Sequence, residues 1–198
     1  MALTRERILE TARDLLRSYG LGDLSMRRLA TELGVAPGAL YYHVRSKQEL
    51  LSLLATRLLA DTTRPEEIPQ DLREIAEELT ATALSVLAAL TEVTDAPEVV
   101  SVALALHPDS VPQRERVRRL LLAAGLTPRR AQWGAHLLLA SVLGLAQQAQ
   151  DRALMLDAGP SESSPEARED RAAEEFGVRA VVRGLLPHPP GGPMPPST

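Results

Sequence analysis

The sequence predicts an all-α protein, and three observations carry that reading. Hydrophobic residues make up 44 % of the 198-residue chain but aromatics only 3 %, so the core must be built of Leu, Ala and Val, side chains suited to helices. Apolar residues recur at three- and four-residue intervals in segment after segment. Each such segment lies between a start signal (Ser, Thr or Pro) and a stop signal (Gly or Pro). No segment reads convincingly as a strand, and no internal repeat is visible.

Taken in order, Thr4 can cap a first helix whose inward positions are Ile8, Ala12, Leu15, Leu16 and Tyr19; Gly20 and Gly22 end it. Ser25 is a good N-cap for a second helix with Met26, Leu29, Ala30 and Leu33 inward, and Gly34 stops it. Pro37 suits the first turn of a short third helix reaching about Tyr42. Ser46, with Glu49 three residues on, forms a capping box for a fourth helix running to about Asp61. Pro65 and Pro69 bracket a linker. A long helix follows from about Gln70 to Leu90, with Leu72, Ile75, Leu79, Val86, Leu87 and Leu90 on one side. Thr94 to Leu106 is a shorter helix, broken by Pro108 and Pro112. The next carries Val117, Leu120, Leu121 and Leu122 to a stop at Gly125. Thr127-Pro128 opens the most apolar helix, which reaches about Leu154. Residues 158–165 are rich in Gly, Pro and Ser and read as a flexible loop. Glu166 to Leu186 is the last helix, and the Pro/Gly-rich tail of 187–198 reads as disordered.

Composition narrows the function classes. With no cysteine, disulfides and thiolate metal sites are excluded. No apolar run approaches the ~18–20 residues of a membrane span, and the N-terminus lacks the apolar core of a secretory signal; a soluble cytoplasmic protein with no membrane partner is expected. There is no Gly-rich phosphate loop ending in Lys-Ser/Thr and no Ser or Cys nucleophile motif. The four histidines show no metal spacing. Neither an enzyme, a metal site nor a cofactor is therefore expected. The net charge is −4, yet residues 1–50 hold eight Lys+Arg against six Asp+Glu, which leaves 14 against 20 for the rest. A slightly basic head on an acidic body suits a nucleic-acid binder that avoids indiscriminate attachment.

The head has the layout of a helix-turn-helix, in which the second helix of the motif enters the major groove while the first braces it. Gly34 supplies the residue tolerant of positive φ that the turn needs. Leu29, Leu33, Val35 and Leu40 would pack the two helices together. Pro37, Gly38, Ala39, Tyr41 and Tyr42 remain outward. Gly38 and Ala39 are small enough to let the backbone sit near base edges, while Tyr41, Tyr42 and His43 can reach phosphates. Lys47, the only lysine of the chain, lies where a helix dipole favours an anion. Adjacent tyrosines cannot both face a core, so a purely structural role for the pair is disfavoured. Arg27 can read guanine, an ordinary solvated arginine being the alternative there; Ser25 and Arg28 flank it. Apolar contact from Pro37 and Ala39 leaves part of the specificity to DNA shape.

The run Gly34-Val35-x-x-Gly38-x-Leu40-Tyr41-Tyr42-His43-Val44-x-Ser46-Lys47-x-x-Leu50 resembles the signature of the TetR family of transcriptional regulators. About a dozen positions agree in one register. The resemblance covers residues 4–61 and implies that Tyr41, Tyr42, His43 and Lys47 contact the DNA backbone, and that Arg27, Pro37, Gly38 and Ala39 face the bases. Ala39 departs from the polar residue usual there.

Beyond residue 61 the resemblance is carried by Gly125-Leu126-Thr127-Pro128 before a long helix containing Gly144, and by Glu174-Glu175-Phe176-Gly177-Val178 in the last helix. It implies a homodimer formed by the last two helices, a palindromic double-stranded DNA operator, and a small-molecule effector enclosed by the later helices. The residues allow the dimer independently, since both helices are apolar over more than one face. Gly134, Leu138, Gly144, Phe176, Ala180 and Gly184 are the interface candidates. Pocket candidates are Gln132, Ala135, His136 and Leu139, with Gln148 further along and His107 before the preceding break. A hydrogen-bonded core histidine is the alternative at His136, and a helix-end histidine at His107. Trp133 suits the core or the dimer interface better than the pocket. Within the family, the tetracycline-binding class uses a Glu and a His to hold a magnesium–drug chelate; Gln148 stands at the matching Glu position, so metal-assisted tetracycline binding is not expected. The expected organisation is a DNA-binding domain over 1–61, an effector-binding and dimerisation domain over 62–186, and a tail over 187–198. The function expected is a ligand-responsive repressor; the alternative is a DNA-binding adaptor whose body binds a partner protein. Arg114, Glu115, Arg116, Arg118 and Arg119 read as a solvated face, and Arg129-Arg130 opposes the helix dipole without evident reason.

Overall fold

The computed structural model describes residues 3–62, 67–155 and 165–187. These form α1 (Arg5–Asp23), α2 (Met26–Leu33), α3 (Pro37–His43), α4 (Lys47–Leu58), α5 (Leu72–Thr91), α6 (Ala96–Leu106), α7 (Pro112–Ala123), α8 (Pro128–Met155) and α9 (Pro165–Leu185), with 3-10 turns at Ala60–Thr62 and Pro108–Ser110. No strand occurs among the described residues. The 158–164 loop and the tail from 188 onward lie outside them.

The start signals act as anticipated. Thr4 Oγ1 accepts from the Arg7 amide at 3.2 Å and Ser25 Oγ from the Arg28 amide at 3.1 Å. Ser46 Oγ accepts from the Glu49 amide at 3.1 Å. The return half of that box is displaced by one residue, because Glu49 Oε2 accepts from the Arg45 amide at 2.7 Å rather than from that of the cap itself. Asp71 caps α5 through the amides of Arg73 and Glu74.

One apolar cluster runs through the whole fold, from Ile8 and Leu16 in α1 to Val178 and Val182 in α9. The boundary anticipated near residue 61 is therefore not a break in packing. α4 lies along α6, while α5 and α7 both pack on α8. α8 turns Ala131, Ala135, Leu138, Leu139, Val142 and Ala146 inward. Polar groups also enter the interior. Gln113 Nε2 donates to the Leu59 carbonyl (2.9 Å) and to Thr62 Oγ1 (2.8 Å), tying α7 to the end of α4. Arg116 of α7 pairs with Glu78 of α5 at 2.9 Å, both side chains largely shielded from solvent.

Several positions differ from expectation. Tyr19 is 55 % exposed despite its helical spacing, because α1 breaks at Gly20 (φ 74°, ψ 178°) immediately after it. Leu72 is exposed at the first turn of α5. The fourth helix stops at Leu58 and continues as the 3-10 turn, whose Thr62 hydroxyl donates to the Leu59 carbonyl.

Candidate nucleic-acid interface

α2 and α3 meet through Gly34, which adopts φ 67° and ψ 33°. The following amide, Val35 N, donates back to the Ala30 carbonyl at 3.0 Å and closes the turn. Leu29, Leu33 and Leu40 are buried between the two helices, with Val35 partly so. In α3 only Leu40 is buried. Pro37, Gly38, Ala39, Tyr41 and Tyr42 are all exposed, Tyr42 by 89 %. A seven-residue helix that buries one side chain spends little of its surface on its own fold.

The surrounding charge is fixed by local bonds. Lys47 is the first residue of α4 and is partly exposed. The His43 ring meets that of Tyr42 edge-on at 5.4 Å, and the His43 carbonyl accepts from Arg5 Nη2 at 3.0 Å. Arg5 also approaches Glu49 at 3.8 Å. Arg5 thus ties the first turn of α1 to the end of α3, a role its sequence position at the chain terminus did not suggest. Arg27 is exposed. Arg28 lies with its guanidinium 4.8 Å from the centre of the Tyr19 ring, which accounts for an exposed tyrosine at that helix end. Ser25 is exposed, its oxygen accepting the α2 capping bond.

The candidate residues of the body separate into two groups. Ala135 and Leu139 are buried, but Gln132, His136 and Gln148 are exposed on α8, and His107 is exposed at the C-terminus of α6. The inward stripe of α8 runs through small apolar residues, and these polar side chains fall outside it. The polar residue that does turn inward is Gln150, four positions after buried Ala146; the periodicity of the stripe could have singled it out. Buried polar atoms without a hydrogen-bond partner occur at Thr82 Oγ1, Gln113 Oε1 and Arg116 Nε and Nη1. Thr80 bonds back to the Ala76 carbonyl, as a helical threonine can, whereas Thr82 Oγ1 has no such bond. Nothing in the spacing of these residues announced them.

Of the interface candidates, Leu138 is fully buried within the protomer, and Gly134 serves internal packing. A Cβ at Gly134 would lie 2.7 Å from Leu121 Cδ1 and 3.2 Å from Leu185 Cδ2. Both therefore belong to the core, because α8 turns them toward α7 and α9. Gly144, Phe176, Ala180 and Gly184 are exposed. So are Trp133, Leu137 and Ala140, which follow one another and Gly144 at helical spacing along α8. Trp133 is 57 % exposed, outside the core, and Arg129 lies over its ring at 4.5 Å, which gives that arginine a local partner against the dipole. At the far end of the α8–α9 seam Arg152 pairs with Asp170. Burial there pushes the carboxyl of nearby Glu174 above its ordinary range, against the opposing pull of Arg152. Among the described residues no group of three or more His, Asp or Glu is placed to hold a metal ion, and no helix is long and apolar enough to cross a membrane.

Residues 8–54 match the family model described as bacterial regulatory proteins, tetR family. The tetracycline repressor protein class D of Escherichia coli is 41 % identical over 58 residues, 29 % of this chain and 27 % of its own length; the match spans about a quarter of that curated relative. Solved structures extend the likeness to the whole fold. BioQ is 30 % identical with a TM-score of 0.77, covering 94 % of this chain and 100 % of its own. BioQ bound to its double-stranded DNA operator is 30 % identical with a TM-score of 0.73 over the same shares. ActR of Streptomyces coelicolor in complex with actinorhodin is 27 % identical with a TM-score of 0.74, covering 93 % and 97 %. Helix-turn-helix geometry, matched head and full-length likeness together place this chain in the tetR family of bacterial regulatory proteins.

Proposed function

We propose that the protein is a ligand-responsive transcriptional repressor that binds a palindromic operator as a homodimer. In this reading residues 1–61 read DNA, and residues 62–186 dimerise and hold a small, mostly apolar effector that releases the operator. The observation that carries it is the surface of α3, where Pro37, Gly38, Ala39, Tyr41 and Tyr42 stand outward around a single buried leucine. BioQ has been solved on its operator and ActR with actinorhodin, which supports both halves of the reading. Tyr41, Tyr42, His43 and Lys47 take phosphate contacts, with Ser25 and Arg28 beside them, and Arg27, Pro37, Gly38 and Ala39 face base edges. The unpartnered polar atoms of Thr82, Gln113 and Arg116 serve as polar anchors in an otherwise apolar effector site between α5 and α7. Effector and operator are then reciprocally linked.

The test is selection of bound sequences from random duplex DNA by the purified protein at ~150 mM salt. One palindromic site should be enriched; a folded protein that enriches none would overturn sequence-specific binding. On that site, Lys47→Ala is expected to weaken binding about tenfold, the low end for a charge-assisted contact. It should also shallow the log K against log [salt] slope by about 0.9, as titration at four salt concentrations would read. Tyr42→Ala should weaken specific and random duplexes alike. If both substitutions leave binding unchanged, the phosphate assignment is wrong.

Gly38 separates folding from recognition. A Cβ there would meet nothing within 4 Å, and its φ is not in the left-handed region. Gly38→Ala should therefore stabilise the head by about 0.5–1 kcal/mol through helix propensity, while its methyl group obstructs close approach to DNA. Thermal denaturation should show a small gain in Tm, and operator titration a loss of affinity; equal or tighter binding would refute a close approach at this residue.

A further inference from the structure

We infer that Gln150, on α8, is a positioning residue for the DNA-binding head, acting through Asp95 on the break in α1. This rests on reading α1–α4 as that head. The break at Gly20 leaves the next amide, Leu21 N, without its usual helical partner, and it donates to Asp95 Oδ2 at 2.7 Å. The fit is close, since a Cβ on Gly20 would lie 2.7 Å from the same oxygen. Gly20 is thus required both for its positive φ and for the room it leaves.

Asp95 is itself held in an uncommon conformation. It has φ 56° and ψ 12°, and it is the only non-glycine residue with positive φ among the described residues. Such a backbone persists where its surroundings determine it. Here the determinant is Gln150. Its Oε1 accepts from the Asp95 amide at 3.0 Å. Its Nε2 donates to the Leu90 and Val93 carbonyls, each at 2.8 Å. Both amide protons and the oxygen of one side chain are thereby spent on the corner between α5 and α6. With that corner fixed, the Asp95 carboxylate is aimed at α1.

The consequence is a polar connection from α8 to the head. α8 carries the exposed apolar stripe proposed for dimerisation, and α5 contributes to the proposed effector site. A shift of α8 or of the end of α5 acts on Gln150, then on the Asp95 backbone, then on the Leu21 amide. The apolar contact of α4 with α6 remains a second route and contains none of these three residues.

The test is residue-resolved amide exchange by NMR on the full chain without DNA or ligand, with operator affinity measured in parallel. Gln150→Leu should raise exchange at Leu21 by about 2- to 12-fold, the factor an ordinary hydrogen bond is worth, while leaving amides in α2 and α4 unchanged. Gln150→Glu keeps the acceptor for Asp95 N–H but loses both donors, so it should raise Leu21 exchange less. This second variant also serves if Gln150→Leu does not fold. Operator affinity should fall in the same order, with affinity for random duplex unaltered. Exchange that rises at Asp95 and Ala96 but not at Leu21 would make Gln150 a local staple and overturn the inference. So would altered Leu21 exchange with unaltered operator affinity. Failure of the broader reading is a separate result: the wild-type chain would then enrich no operator at all, whatever the exchange pattern.

Discussion

Leu137→Asp combined with Phe176→Asp is expected to give a folded monomer whose operator affinity is lower by about two to four orders of magnitude. Both side chains are more than half exposed in the protomer, so removing them should cost the protomer fold little. In the proposed dimer each would lie in the apolar seam of α8 and α9, where four carboxylates would replace four apolar side chains. Burying an unpaired carboxylate is too costly for such a seam to survive. The size of the DNA effect follows from tethering. Two joined heads bind the second half-site intramolecularly, which strengthens binding by about 10²–10⁴-fold without any new contact. Analytical ultracentrifugation should show the mass halved, and titration on a single half-site should show no change. A dimer that survives the double substitution would place the interface elsewhere.

Leu40→Ala is expected to destabilise the protein by about 2–5 kcal/mol, the usual cost of truncating a fully buried leucine, and to abolish operator binding. Leu40 is fully buried and is the only buried residue of α3. Its loss leaves the recognition surface anchored only by its flanks, Val35 and Val44. Urea denaturation would give the stability change. Tyr42→Ala is the control from the same helix: at 89 % exposure it should alter stability by no more than about 0.5 kcal/mol. If Leu40→Ala cost no more than Tyr42→Ala, α3 would be docked by something other than its leucine.

Much of the architecture was legible in the order of residues because the signals involved are local. A capping serine needs only an amide two or three positions ahead, and Ser25 and Ser46 each find one. Gly34 announces its turn because positive φ excludes most other residues. The recognition surface was legible for a related reason: seven residues on a short helix have few orientations, and one leucine settles them. The long helices were different. Over 28 residues α8 offers several apolar faces, and spacing alone does not say which neighbour each face meets. Leu138 and Gly134 therefore read equally well as interface or core, and only packing against α7 and α9 assigns them inward. The same rotation puts His136 and Gln132 outside and Gln150 inside.

By itself, then, the sequence determined the all-helical class, the helix boundaries to within a few residues, and the exposed face of α3, since each depends on interactions spanning four residues or fewer. The tertiary structure alone decided which polar groups enter the body and how the head is joined to it. Gln150 reaches Asp95 across 55 positions, and Asp95 reaches Leu21 across 74. Arg116 reaches Glu78 across 38. Bonds of that reach leave no periodicity in the chain, because partners so far apart meet only when the helices between them have packed.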